Sequence, residues 1–180
     1  MNTKNYALVT AAYWGFSLTD GALRMLVILH FHERGLSAIQ LAFLFLLYEF
    51  CGILTNLFGG WLASARGVKI TLTTGLSLQI LSLVLLSLTN LSWELWVAVS
   101  YIMGTQALSG VAKDLTKMSS KSAVRILVPE GDADSQAGLF RWVAILTGSK
   151  NALKGVGFLL GGVLLASIGF QWLSLIHICR

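Results

Sequence analysis

Lys113, Lys117, Lys121 and Arg125 recur every fourth residue in VAKDLTKMSSKSAVR, residues 111–125, and Lys150 and Lys154 repeat that spacing in GSKNALKG, residues 148–155. Residues four apart share one face of a helix, so each set becomes a stripe of positive charge wherever its segment is helical. Two such stripes beside one low-dielectric cavity would focus a field that draws in a multiply charged anion, and Asn151 adds a neutral hydrogen-bonding group next to Lys150. The plainer alternative is a solvated helix touching anionic lipid headgroups, each base contributing about 1 kcal/mol near the surface. Asp114 is the nearest acid to the longer stripe.

A second constellation lies in apolar surroundings. Asp20 and Arg24, in TDGALRM, stand one helical turn apart, and Glu49, in LYEF, sits inside another apolar run. An ionisable group at membrane depth costs several kcal/mol unless it meets a partner or water, so all three are expected to face inward. Their chemistry is then either a structural ion pair and a buried protonated acid, or proton coupling by Asp20 or Glu49 with Arg24 holding substrate. Gly148, Gly157, Gly161 and Gly162 form a small-residue face on which helix backbones can approach closely. His30 and His32 lie two residues apart with no cluster to complete a metal site, and they read as surface histidines. Cys51 and Cys179 suggest neither a disulfide framework nor a metal site. No nucleophile elbow, phosphate loop or paired-carboxylate motif is present, so the sequence offers no catalytic constellation, no cofactor and no nucleic-acid signature.

The elements that must position these groups are membrane helices. Of the 180 residues, 56% are hydrophobic and 12% charged, with one proline, and the mean hydropathy is +0.75; a soluble domain of this size is far more polar. Crossing a bilayer takes about 20 apolar residues, which predicts five spans, near 6–31, 39–63, 70–88, 93–112 and 139–170. For the last, the alternative is a surface helix followed by a span near 156–175. The first run is longer than the apolar core of a signal peptide and is read as a retained helix. With the N-terminus inside, Lys4, Arg66, Lys69, Lys113, Lys117, Lys121, Arg125 and Arg141 fall on one side and Arg34 alone on the other. The positive-inside rule therefore predicts a multi-pass membrane protein with a cytoplasmic N-terminus.

Two resemblances extend this reading. GGWLASARGVK, residues 59–69, resembles the loop motif between the second and third helices of the major facilitator superfamily, with Gly60, Gly67 and Lys69 in register as gating residues. Ser64 stands where that motif has its acid, and Ala65 and Val68 replace expected bases. Gly148, Gly157 and Gly161 match the spacing of the superfamily's antiporter motif, with Gly162 at the place of its proline. More closely, NYALVTAAYWGFSLTDGALRMLVILHFH, QLAFLFLLYEF, ALSGVAKDLTKMSSKSAV and FRWVAILTGSKNALKGVGFLLGG resemble the ArsJ-type organoarsenical exporters. That resemblance implies an all-α membrane protein that exports an arsenylated phosphoglycerate and confers arsenate resistance, functionally linked to the glyceraldehyde-3-phosphate dehydrogenase that makes it. Its anionic substrate would match the charge of Lys113, Lys117, Lys121, Lys150 and Lys154.

Such transporters have about twelve spans with the site between two halves. Residues 1–172 therefore read as a partial N-terminal bundle unable to transport alone, and LSLIHICR, residues 173–180, as a non-native or truncated tail. The alternatives are a facilitator-type exporter of another phosphorylated metabolite or a drug, and a non-transporting membrane scaffold that binds anionic lipid. One electrostatic expectation belongs to the export of a polyanion and is open to test against structure: that the lysines of the fourth and fifth spans converge on one hollow.

Overall fold

The structure is a computed structural model and describes residues 3–90, 92–127 and 133–168; the tail at 173–180 lies outside them. Six helices follow in order, α1 Thr3–Glu33, α2 Ala38–Leu44, α3 Leu46–Arg66, α4 Val68–Ser87, α5 Leu95–Leu127 and α6 Ala133–Ile168, with no strand among the described residues. Three stretches are long and apolar enough to cross a bilayer: Ala38–Arg66, Val68–Ser87 and Leu95–Ile126. The chain is an all-α bundle of membrane type.

Three departures from the predicted elements stand out. The segment expected as one helix from 39 to 63 is broken at Phe45, where the N–H of Phe45 donates to the Ala42 carbonyl at 3.2 Å, one residue short of the α-helical partner. Ser37 starts α2 with a capping box, its backbone N–H donating to Gln40 Oε1 at 2.8 Å. The GGWLASARGVK connection is almost entirely helix, because α3 runs to Arg66 and α4 begins at Val68. Gly67 alone joins them at φ +84°, in the left-handed region that glycine enters without a Cβ clash. The helix past Ala112 continues unbroken, so the 33-residue α5 carries the whole Lys113–Arg125 ladder; α6, by contrast, is one helix of 36 residues, in keeping with the first reading of its segment and not with the alternative of a surface helix plus a span.

Polarity is arranged inside out. Trp61, Leu57, Phe58 and Ile53 of α3 point outward, while Thr71, Gln79, Ser82, Thr105, Gln106, Ser109, Thr116, Ser119 and Ser120 are buried. An apolar exterior of this size would be a liability in water; in lipid, association is driven by close packing and interhelical hydrogen bonds. α5 is the central post, flanked by α3 and α4, and α1 packs along α6. Along the second seam the predicted glycine face is partly realised. A Cβ on Gly161 would lie 2.6 Å from the Ala22 carbonyl oxygen, and one on Gly157 would lie 3.2 Å from Gly21 Cα. Gly162 faces the Met25 and Leu29 side chains, and Gly148 meets nothing within 4 Å.

The apolar core comes in two parts. One cluster gathers Leu23, Val27, Phe31, Leu44, Leu86 and Ile102 at one end of the bundle. The other gathers Tyr6, Tyr13, Val124 and Leu146 at the opposite end. Asp20 on α1 and Lys113, Asp114 and Lys117 on α5 fall between the two plugs along their helices.

Candidate functional site

The polar layer begins on α1, where Tyr13, Ser17, Asp20 and Arg24 follow one another at steps of four, three and four residues and so share a face. Asp20 is only 3% exposed. Its Oδ1 accepts the Tyr48 hydroxyl of α3 at 2.6 Å, and its Oδ2 lies 3.4 Å from Lys154 Nζ of α6. Arg24 is 3.8 Å from Asp20 through Nε, but its shorter bond goes to another helix, Nη2 donating to Glu49 Oε1 at 2.8 Å. The Asp20/Arg24 motif is therefore an interhelical junction more than an intrahelical pair.

Glu49 continues the chain of contacts by accepting from Lys113 Nζ at 3.0 Å. Between them the fully buried Tyr48 ring has the Arg24 guanidinium 4.1 Å and the Lys113 ammonium 4.3 Å from its centroid, a favourable place for a desolvated cation. Asp114, 2% exposed, accepts from Asn56 Nδ2 at 2.9 Å and from Lys117 Nζ at 3.4 Å, with Lys113 Nζ 3.7 Å away. Three carboxylates thus face five bases, Arg24, Lys113, Lys117, Lys150 and Lys154, and the formal balance is positive. Lys150 has no carboxylate within ion-pair distance among the described residues.

The two basic stripes do meet. Lys113 and Lys117 of α5, Lys150 and Lys154 of α6, and Tyr13, Phe16, Ser17 and Asp20 of α1 line one cleft of about 240 Å³. The 240 Å³ includes open solvent, and the volume in which the centre of a water could sit is only about 10 Å³, room for roughly one water. The hollow expected for a polyanion is accordingly narrow in this state and fenced by lysine side chains.

Other predicted residues are placed elsewhere. Lys121 is partly buried and Arg125 exposed, and neither lines the cleft. A step of four residues overshoots a 3.6-residue turn by roughly 40°, so the ladder winds around α5 and its last two rungs leave the face that Lys113 and Lys117 share. Asn151 is exposed beside Lys150 and does not line the cleft. Gly60 approaches the Met118 side chain of α5 at 3.8 Å from a Cβ position, Gly67 is the α3–α4 joint, and Lys69 is exposed on the first turn of α4. His30 is buried with its ring against Phe31, correcting its reading as a surface residue, whereas His32 is exposed. Among the described residues no group of three His, Cys, Asp or Glu could hold a metal ion.

Sequence reasoning passed over Tyr13 and Asn56. Both sit seven residues, two helical turns, from an acid already singled out, Tyr13 before Asp20 and Asn56 after Glu49, and that spacing was the available signal. The arrangement can hold an anion among exchangeable ammonium groups and can move a proton on a buried carboxylate. No protein-family model, curated protein or solved structure matches this chain.

Proposed function

We propose that the chain forms the N-terminal bundle of a major facilitator transporter, five-spanning and inserted in the cell inner membrane with its N-terminus in the cytoplasm, that exports an anionic organoarsenical of the arsenylated phosphoglycerate type. One observation carries the reading: four lysines from two helices share a cleft with Asp20 at mid-depth of an apolar bundle, between two hydrophobic plugs. Ammonium groups are costly at such depth, and a structure gains nothing from a surplus of them that apolar packing would not supply more cheaply. A polyanionic cargo supplies the missing negative charge. Asp20, held by Tyr48 and Lys154, is the group to exchange a proton as cargo binds and leaves, with Glu49 as the second carboxylate of the relay.

The test is accumulation by everted vesicles from cells expressing the whole transporter of which this bundle is proposed to be the N-terminal part. Arsenate, glyceraldehyde-3-phosphate, NAD and glyceraldehyde-3-phosphate dehydrogenase would generate the labelled substrate in place. Uptake above control vesicles is expected, with a loss of tenfold or more in Lys150→Gln/Lys154→Gln. Equal uptake by the double variant would remove the charge-matching argument, and uptake of phosphorylated metabolites without the arsenylated one would favour the alternative cargo.

A further inference from the structure

Tyr13 lines the cleft, is 2% exposed, and its hydroxyl has no hydrogen-bond partner among the described residues. A buried hydroxyl without a partner is disfavoured, and a phenol can donate one directed hydrogen bond. The neighbouring hydroxyl has no proton left for it, because Ser17 Oγ donates its own to the Tyr13 carbonyl at 2.8 Å. The lysines around it differ in how firmly they are held. Lys113 is bound to Glu49 at 3.0 Å, Lys117 and Lys154 sit 3.4 Å from their acids, and Lys150 has no acid at all among the described residues.

We infer that Tyr13 and Lys150, with Lys117 and Lys154 closing around them, form a seat for a tetrahedral oxyanion of the phosphate or arsenate class. The inference rests on the export reading for its cargo but adds a residue and a recognition geometry that the reading does not need. A planar carboxylate offers acceptors in one plane, whereas a tetrahedral group presents three terminal oxygens at once and can meet donors arriving from α1, α5 and α6. Charge alone would leave the anion loosely oriented, since ammonium groups on flexible four-carbon stems act as point charges. The phenol on a rigid ring fixes one oxygen. Asp20 is the acid lining the same cleft and opposes the anion, so the seat fills by drawing Lys154 away from it. Four of the residues lining the narrow cleft are lysines, whose flexible side chains can swing aside.

The same chemistry would accept a soluble phosphate monoester or a lipid headgroup, and calorimetry on the purified full chain in maltoside micelles separates them. The probes are 3-phosphoglycerate, inorganic phosphate and, in a second arm, micelles doped with phosphatidylglycerol. Tyr13→Phe should weaken the bound probe about tenfold or more, as expected for a lost hydrogen bond to a charged group, and Lys150→Gln should weaken it at least as much, with helix content by circular dichroism unchanged. Loss in the soluble arm identifies a metabolite seat, and loss confined to the doped micelles a lipid seat. Equal affinity in wild type and Tyr13→Phe, or no binding of any probe by wild type up to millimolar concentration, overturns the inference. If Tyr13→Phe loses oxyanion affinity while vesicles of the wild type accumulate no arsenylated substrate, the seat stands and the export reading falls. If vesicles accumulate it and Tyr13→Phe binds normally, the reverse holds.

Discussion

The two faces of α5 do opposite kinds of work. Toward α4 it is neutral: Ser82 Oγ donates to the Thr105 carbonyl, Ser109 Oγ to Gln79 Oε1 and Ser119 Oγ to Thr71 Oγ1, each at 2.8 Å. A Cβ on Gly75 would come within 3.0 Å of the Thr116 nitrogen, so the backbones there are as close as side chains allow. Toward α1, α3 and α6 the same helix carries Lys113, Asp114 and Lys117, whose contacts with acids range from 3.0 to 3.7 Å and share partners. The neutral bonds between helices are short, which suits a fixed seam. The ionic ones are longer and redundant, so one can be surrendered while another holds.

That contrast is open to measurement by detergent-driven unfolding of the purified protein. The largest effect is expected for Asp114→Asn, which strips Lys113 and Lys117 of their buried acid; removing one partner of a buried pair costs about 3–5 kcal/mol. Glu49→Gln touches two bases as well, but its side chain is 54% exposed, and pairs so placed contribute about 1 kcal/mol or less. Ser109→Ala, on the neutral face, should cost about 0.6 kcal/mol, the average for interhelical hydrogen bonds in membranes. A cost for Asp114→Asn no greater than for Ser109→Ala would erase the distinction between the faces.

Much of this was legible in the chain. Apolar run length marks Ala38–Arg66, Val68–Ser87 and Leu95–Ile126 because bilayer thickness dictates it, and the four-residue spacing of lysines places Lys113 with Lys117 and Lys150 with Lys154. What spacing cannot convey is how far a face extends. Lys121 and Arg125 fit the repeat yet wind off the cleft, and Gly148 fits the glycine motif yet meets nothing. The break at Phe45 has no local signature, since residues 38–51 contain neither glycine nor proline. The polar seam of Gln79, Thr105 and Ser109 hid for another reason: uncharged polar residues hardly dent a hydropathy profile, although in lipid they decide which sides of helices meet. Tyr13 reads as one more aromatic until its hydroxyl is seen without a partner in a residue that lines the cleft with four lysines.

The single-residue joint at Gly67 has a mechanical meaning. One residue with helix on both flanks leaves little slack, so the end of α3 and the start of α4 stay adjacent. The two helices touch each other little and grip α5 from either side, which makes the three a single lever. The border between α5 and α6 is sparse by comparison, and displacement there would pull one pair of lysines away from the other.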